Sequence, residues 1–287
     1  MATVDENESF WARYDWSGAG EEWSEGWGGS HAQWYGVILP RIARFLPARS
    51  ILEIAPGHGR WTVFLREHCD KLAIVDLDAA CIEACRERFA ADEKIAYHVN
   101  DGRSLEMIED ESVDFAFSFD SLVHADAEVI VGYLGELQRT LAPEGVGFIH
   151  HSNAGRYRRY FEFADTIPRG RVRERLYELR VLDRPRWRAL DMTAGRFRRS
   201  SEAAGLQCVS QEIVNWTTRR VIDCFSVITR PSSRWARPNR VLENRGFVSE
   251  ARAVKRRAPL YSPDRPLEPG SGLSLTPARV VDNPGAG

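Results

Sequence analysis

Several things are missing from this 287-residue chain, and each absence narrows its chemistry. No apolar run approaches the roughly 20 residues that a membrane-spanning helix needs, so no membrane partner is expected. The opening stretch MATVDENESF is acidic and has no apolar core, so no secretion signal is expected either. No CxxC pair occurs among the five cysteines, Cys69, Cys81, Cys85, Cys208 and Cys224, and no metal site is expected. Their odd number and scatter fit reduced, mostly buried thiols in a cytoplasmic protein; Cys81 and Cys85 should share a helix face. The formal charge of −2 excludes a globally basic nucleic-acid binder. An apolar share of 43% suffices for a core, and the length suits one elaborated domain better than two.

What is present is organised around Ile51 to Leu65, ILEIAPGHGRWTVFL. A short apolar strand, Ile51 to Ile54, breaks at Ala55-Pro56-Gly57-His58-Gly59 and resumes as a helix with apolar Trp61, Phe64 and Leu65. A strand, a glycine turn and a helix in that order open a Rossmann-type unit, and the glycines let backbone approach a ligand closely. The third glycine of the dinucleotide fingerprint would fall at Thr62 and is absent, which argues against a nicotinamide or flavin oxidoreductase. Glu53 inside the strand is the other clue, because a buried carboxylate is costly unless it has a task. This pattern resembles motif I of the class I S-adenosylmethionine-dependent methyltransferases, an acidic residue followed by G-x-G.

The chain around it repeats strand and helix with short turns. Strand two ends at Asp76, nineteen residues after Gly57, where an acidic side chain can accept both hydroxyls of a ribose. A helix follows over 79–89, then strand three over 95–99, closed by Asn100-Asp101-Gly102. Strand four is 113–119, the next helix 128–141 and strand five 146–150. This alternation predicts a parallel sheet with ligands beyond the carboxyl ends of its strands. Gly57, Asp76, Asp101, Asp120 with His124, and His150 with His151 should therefore converge. Two alternating segments, 207–216 and 222–230, read as the antiparallel strands that close the sheet, with Asn215, Trp216 and Asp223 at the ligand edge.

The flanks are less regular. Residues 1–34 hold Trp11, Trp16, Trp23, Trp27 and Trp34 and read as a satellite cluster or as a lid. An amphipathic helix over 33–46, kinked or started by Pro40, leads into the domain at 35–230. Between strands five and six, residues 154–199 form a helical insert with fourteen arginines against six acids; it is +8, which leaves −10 for the remainder of a chain at −2. It is either a solvated face or a basic wall toward an anionic acceptor; without a stacking platform it does not suggest nucleic acid. Residues 231–261 should wrap the domain, and 262–287, rich in Pro, Gly and Ser, should be disordered.

Residues 35–230 taken together resemble a class I methyltransferase: an α/β, Rossmann-like fold of parallel strands with an antiparallel last strand. The resemblance implies S-adenosylmethionine as cofactor, held by Glu53, Gly57, Gly59, Asp76, Asp101 and Gly102, with Asp101 at the adenine. FSFDSLVHAD at 117–126 and GFIHHSN at 147–153 resemble a bacterial group of small-molecule and sugar O-methyltransferases. The N-P-P-Y signature of amine and base N-methyltransferases is replaced by Phe119-Asp120-Ser121-Leu122. A hydroxyl acceptor is a poor nucleophile and needs a general base, for which His151 is favoured, with His124 as rival and Asp120 to orient either. His150, Asn215 and Trp216 are the expected acceptor contacts. A carboxylate acceptor held by arginines, a metal-assisted variant through Asp120, His124 and His151, and an inactive cofactor-binding scaffold remain open.

Overall fold

In the computed structural model, residues 4–168, 170–179, 181–183, 187–216 and 218–261 are described. Eight strands form one sheet in the order β3-β2-β1-β4-β5-β7-β6-β8. They are β1 (Ala48–Ile54), β2 (Cys69–Asp76), β3 (Ile95–Val99), β4 (Val113–Ser118), β5 (Leu141–Ser152), β6 (Gln207–Val214), β7 (Asp223–Thr229) and β8 (Arg240–Asn244). The first five pair in parallel, as their helical crossovers require.

The expected antiparallel closing hairpin is present as β6 and β7. Only β7 is reversed, and it lies between β5 and β6, antiparallel to both. β6 therefore runs with the first five strands. The outer edge is β8, which pairs in parallel with β6 and comes from the segment expected merely to wrap. Its hydropathic pattern is weak because Val241 and Leu242 are about 60% exposed.

Among the described residues ten α-helices surround the sheet: α1 (Val4–Trp11), α2 (Ser30–Gln33), α3 (Leu39–Ile42), α4 (Thr62–Leu65), α5 (Ala79–Arg88), α6 (Ala127–Thr140), α7 (Arg158–Thr166), α8 (Arg171–Glu178), α9 (Ala194–Ala203) and α10 (Phe247–Tyr261). Local chemistry starts several of them. Asp78 caps α5 by accepting the Ala80 N–H, and Asp126 caps α6 through Val129. Thr193 does the same for α9 through Arg196. The helix expected to be kinked at Pro40 contains a π turn, Trp34–Ile38, between α2 and α3. Pro40 has no N–H to give, and the ladder skips a residue just before it.

Alternation along each strand sends side chains to two cores. Ile51, Phe115 and Phe148 face the side covered by α3, α4, α5 and α10. Leu52, Ala116 and Ile149 face the side covered by α6 and α9. The period of two carries His150 to the first face and His151 to the second. All five cysteines are free thiols. Among the described residues no helix is long and apolar enough to cross a membrane. The segment 262–287, read above as disordered, lies outside the described residues.

Candidate active site

The turn after β1 is backbone geometry before it is chemistry. Gly57 and Gly59 sit at φ +56° and +80°, in the left-handed region that a Cβ disfavours. Asp76, the last residue of β2, is turned onto this loop. Its Oδ2 accepts the Gly57 N–H at 3.1 Å and its Oδ1 the Asp78 N–H at 3.0 Å. Burial pushes its pKa up to about 6 against those backbone donors, which favour the ionised form.

These residues line one part of a cavity of about 890 Å³, partly open to solvent. Its floor is the glycine turn, with Ala55, Pro56, Gly57 and His58; Asp76, Leu77 and Gly102 bound it along β2 and β3. Phe119, Asp120, Ser121, Leu122 and His124, which follow β4, form the facing wall. The roof comes from the N-terminus: Val4, Asn7, Trp11, Trp16 and Trp23 all line it. Trp11, Tyr14, Trp16 and Trp23 pack mutually, with ring centroids 5.1–5.9 Å apart. Tyr14 donates to Glu22 at 2.6 Å; burial, and then that carboxylate, push the phenol up to about 12.

Asp120 is the most constrained residue of the wall. It leaves β4 at φ +65°, unusual for any residue with a Cβ. Its Oδ2 accepts from Arg60 Nη2 at 3.2 Å, and its Oδ1 lies 3.7 Å from Arg188 Nη2. Arg188 in turn grips Asp223 with Nε and Nη2, at 2.8 and 3.0 Å. Burial alone would raise the Asp223 pKa, but Arg188 first and then His150 hold it at about 2. Two arginines against two aspartates leave no spare positive charge in this cluster.

The three histidines separate cleanly. His124 lines the cavity, hydrogen-bonds the Trp187 backbone and leaves Nδ1 buried without a partner. Burial, then the Arg188 charge, lower its pKa to about 4, so the ring is neutral at pH 7. His150 is fully buried on the first face among Phe119, Trp216 and Phe225, with ring centroids 4.7–4.9 Å away. Its Nδ1 accepts the Asp120 N–H at 3.1 Å.

His151 does not take the position expected of the base. It is fully buried on the opposite face, flat against Phe197 at 4.0 Å. Nδ1 is 2.9 Å from the Ser152 carbonyl oxygen and Nε2 is 2.8 Å from Ser226 Oγ, so neither nitrogen is free. Burial lowers its pKa to about 3.

Five further residues expected at the site do not line the cavity. Asp101 is exposed, and its carboxylate accepts the Arg103 and Ser104 N–H groups of its own turn, leaving Gly102 to line the cavity. Glu53 is 1% exposed and accepts from Thr62 Oγ1 at 2.6 Å beneath the glycine turn, not in the cavity. Burial pushes it up to about 8, with Thr62 opposing, so the acid is mostly neutral at pH 7. Gly59 braces the turn from below, since a Cβ there would meet the Phe89 ring at 2.5 Å. Asn215 accepts the Val248 N–H, and Trp216 stacks on Phe247 and meets Trp27 edge-on in the core; neither lines the cavity.

The arginine insert does not form a wall of the cavity. Arg156, Arg158, Arg173, Arg175, Arg188, Arg196 and Arg198 are each ion-paired, and no residue of 154–199 lines it among the described residues. No group of three or more His, Cys, Asp or Glu stands ready for a metal among the described residues.

Residues 51–145 match the family profile of a methyltransferase domain. That stretch, from β1 into the start of β5, is a methyltransferase domain. A chain from the Haloferax volcanii complex between the Trm112 methyltransferase activator and a methyltransferase has the same fold, with 17% identity, a TM-score of 0.50, and coverage of 79% of this chain and 98% of that one. A Pyrococcus horikoshii protein, PH0226, shows 18% identity and a TM-score of 0.49 over 73% of this chain and 98% of its own. No relative of curated function matches the sequence.

The methyltransferase takes S-adenosylmethionine as its cofactor, and the cavity suits it. The turn at Gly57 admits close approach, a carboxylate stands at the end of β2, and the interior is large and lined by aromatic rings. Arg60, Trp61, Phe119 and Tyr133 also line the site and were not singled out from the sequence. Arg60 directly follows the motif glycine, and that adjacency was the available signal.

Proposed function

We propose that this methyltransferase transfers the methyl group to a hydroxyl of a small, uncharged molecule. The observation that carries this reading is His124: the one histidine of the three candidates in the cavity wall, with Nδ1 buried and unpartnered. Asp76, Gly57 and Gly102 would hold the cofactor, and the N-terminal segment would close over it as a lid.

When bound, S-adenosylmethionine supplies an activated methyl group. The chain's own residues then need only position the acceptor and take its proton. His124 Nδ1 accepts that proton; its Nε2 faces the Trp187 backbone, which fixes the tautomer. Asp120, clamped by Arg60 and Arg188, keeps the wall in place and offsets the positive charge that His124 acquires. Trp11, Trp16 and Trp23 exclude water from above. The carboxylate reading is not favoured, because Arg60, which lines the cavity, and Arg188 behind it are already met by aspartates.

The test is to incubate the protein with methyl-labelled S-adenosylmethionine and an extract of the source organism, then treat the labelled product with mild alkali. Label that resists alkali is expected. Label released as methanol would mean a methyl ester and would sink the hydroxyl reading. Cofactor binding with no labelled product from any extract or acceptor panel would favour an inactive scaffold.

A further inference from the structure

His150 is the buried titratable group next to the site that the proposed chemistry leaves unused. It has no exposure at all, yet it touches the cavity wall through one bond, the Asp120 N–H to its Nδ1 at 3.1 Å. A backbone N–H can only donate, so Nδ1 carries no proton and the ring's proton sits on Nε2. Nε2 faces Asp223 Oδ2 across 3.4 Å, an electrostatic contact without a short hydrogen bond. Asp223 is itself fixed by both Arg188 bonds.

The place where this chain of contacts ends matters. Asp120 has φ +65°, so its backbone is held in a conformation it would otherwise leave. The residues that follow, Ser121, Leu122 and His124, all line the cavity. Ser121 Oγ donates to the carbonyl of Ala55 at 2.9 Å, which ties this wall to the glycine turn. Ala55 is also at positive φ, +60°.

We infer that His150 is a positioning residue: its Nδ1 pins Asp120 in the left-handed conformation and so sets the cavity wall between β4 and α6. Arg188 and Asp223 hold the imidazole in the tautomer and pose that this requires. The inference rests on the cavity being the methyltransferase site, as proposed above.

The side-chain oxygen of asparagine stands where Nδ1 does, one bond beyond Cγ, whereas the amide of glutamine reaches only the place of Nε2. Calorimetric titration with S-adenosylhomocysteine therefore separates positioning from packing. His150→Asn is expected to bind within about threefold of wild type, and His150→Gln roughly tenfold more weakly, because only the second leaves the Asp120 N–H without its partner. Equal affinity of His150→Gln and wild type would overturn the inference, as would equal loss in both variants. Nitrogen-15 NMR of the wild-type imidazole gives a reading that needs no variant to fold: Nδ1 must be unprotonated and Nε2 protonated, and the reverse overturns it. Wild-type protein that fails to bind S-adenosylhomocysteine would count against the assignment of the cavity, while the tautomer would still decide the role of His150.

Discussion

Trp16 lies flat on His58, with ring centroids 4.4 Å apart and planes 6° from parallel. The contact joins the N-terminal aromatic cluster to the glycine turn of the methyltransferase motif. Removing the Trp16 ring should uncover the cofactor. Trp16→Ala is expected to weaken S-adenosylhomocysteine binding by about 1 kcal/mol or more, mostly through a faster off-rate by stopped-flow displacement. An unchanged off-rate would make the aromatic segment a packing feature and not a lid.

Gly57 meets the same ring from below. A Cβ at Gly57 would stand 2.9 Å from Trp16 Cη2, on a backbone at φ +56°. Gly57→Ala should therefore lose both stability and cofactor affinity, with the left-handed conformation alone costing about 1–2 kcal/mol. Adding Trp16→Ala should relieve the crowding and leave the conformational share in place. Melting temperatures of the single and double variants measure the two parts. Full recovery in the double variant would show that the backbone term is negligible.

Glu53 gives the protein a pH dependence of unusual sign. Its folded pKa, raised to about 8 by burial, lies above the unfolded carboxylate value. The folded state then holds a proton that the unfolded state has released. Stability from this group is complete below the ordinary carboxylate range and falls as pH rises toward 8, by up to about 1.4 kcal/mol per pH unit. Glu53→Gln keeps an acceptor for Thr62 and removes the titration. It should flatten the fall in thermal stability between pH 5 and 8 that the wild type shows. A parallel loss in both proteins would refute the assignment to Glu53.

The two histidines predicted for catalysis should part company under mutation. His124→Ala is expected to lower kcat by roughly 10²–10⁴-fold, the usual share of a general base, with cofactor affinity little changed. His151→Ala should lose stability, since it empties a fully buried site against Phe197 and Ser226, but keep turnover in the protein that folds. The pH profile offers a second check. With His124 held to about 4, kcat should stay level down through pH 6 and fall only as pH approaches 4. An acid limb centred near the ordinary histidine value would exclude His124 as the base.

Much of this arrangement is legible in the chain, and the gaps have physical causes. The β1 turn and the carboxylate at Asp76 could be read because backbone conformation and register dictate residue type at fixed spacing. The opposite directions of His150 and His151 follow from the strand period of two. Whether either reaches the cavity does not follow from that period, because the cavity lies beyond the strand ends and is lined from both cores, by Trp61 and Phe119 and by Val129 and Tyr133. Asp101 was misplaced for a local reason: its short side chain finds two donors within its own turn. The +8 insert reads as an anion site because a net charge hides pairing: Arg156, Arg158, Arg173, Arg175, Arg188, Arg196 and Arg198 all meet acids. β8 is not legible because an edge strand exposed on both faces carries little hydrophobic signal.

The roof of the cavity is made by the chain between Val4 and Trp23, so wall and doorway are one segment. Ligand exchange would then require that segment to lift, and the opening step would be shared by cofactor, acceptor and product alike. Whatever is joined ahead of Val4 pulls on the free edge of that door, whose fixed edge lies near Gly28, close against Lys255 and Ala258 of α10. A fusion partner placed ahead of Val4 would be felt as a change in turnover, without touching a single residue of the cavity.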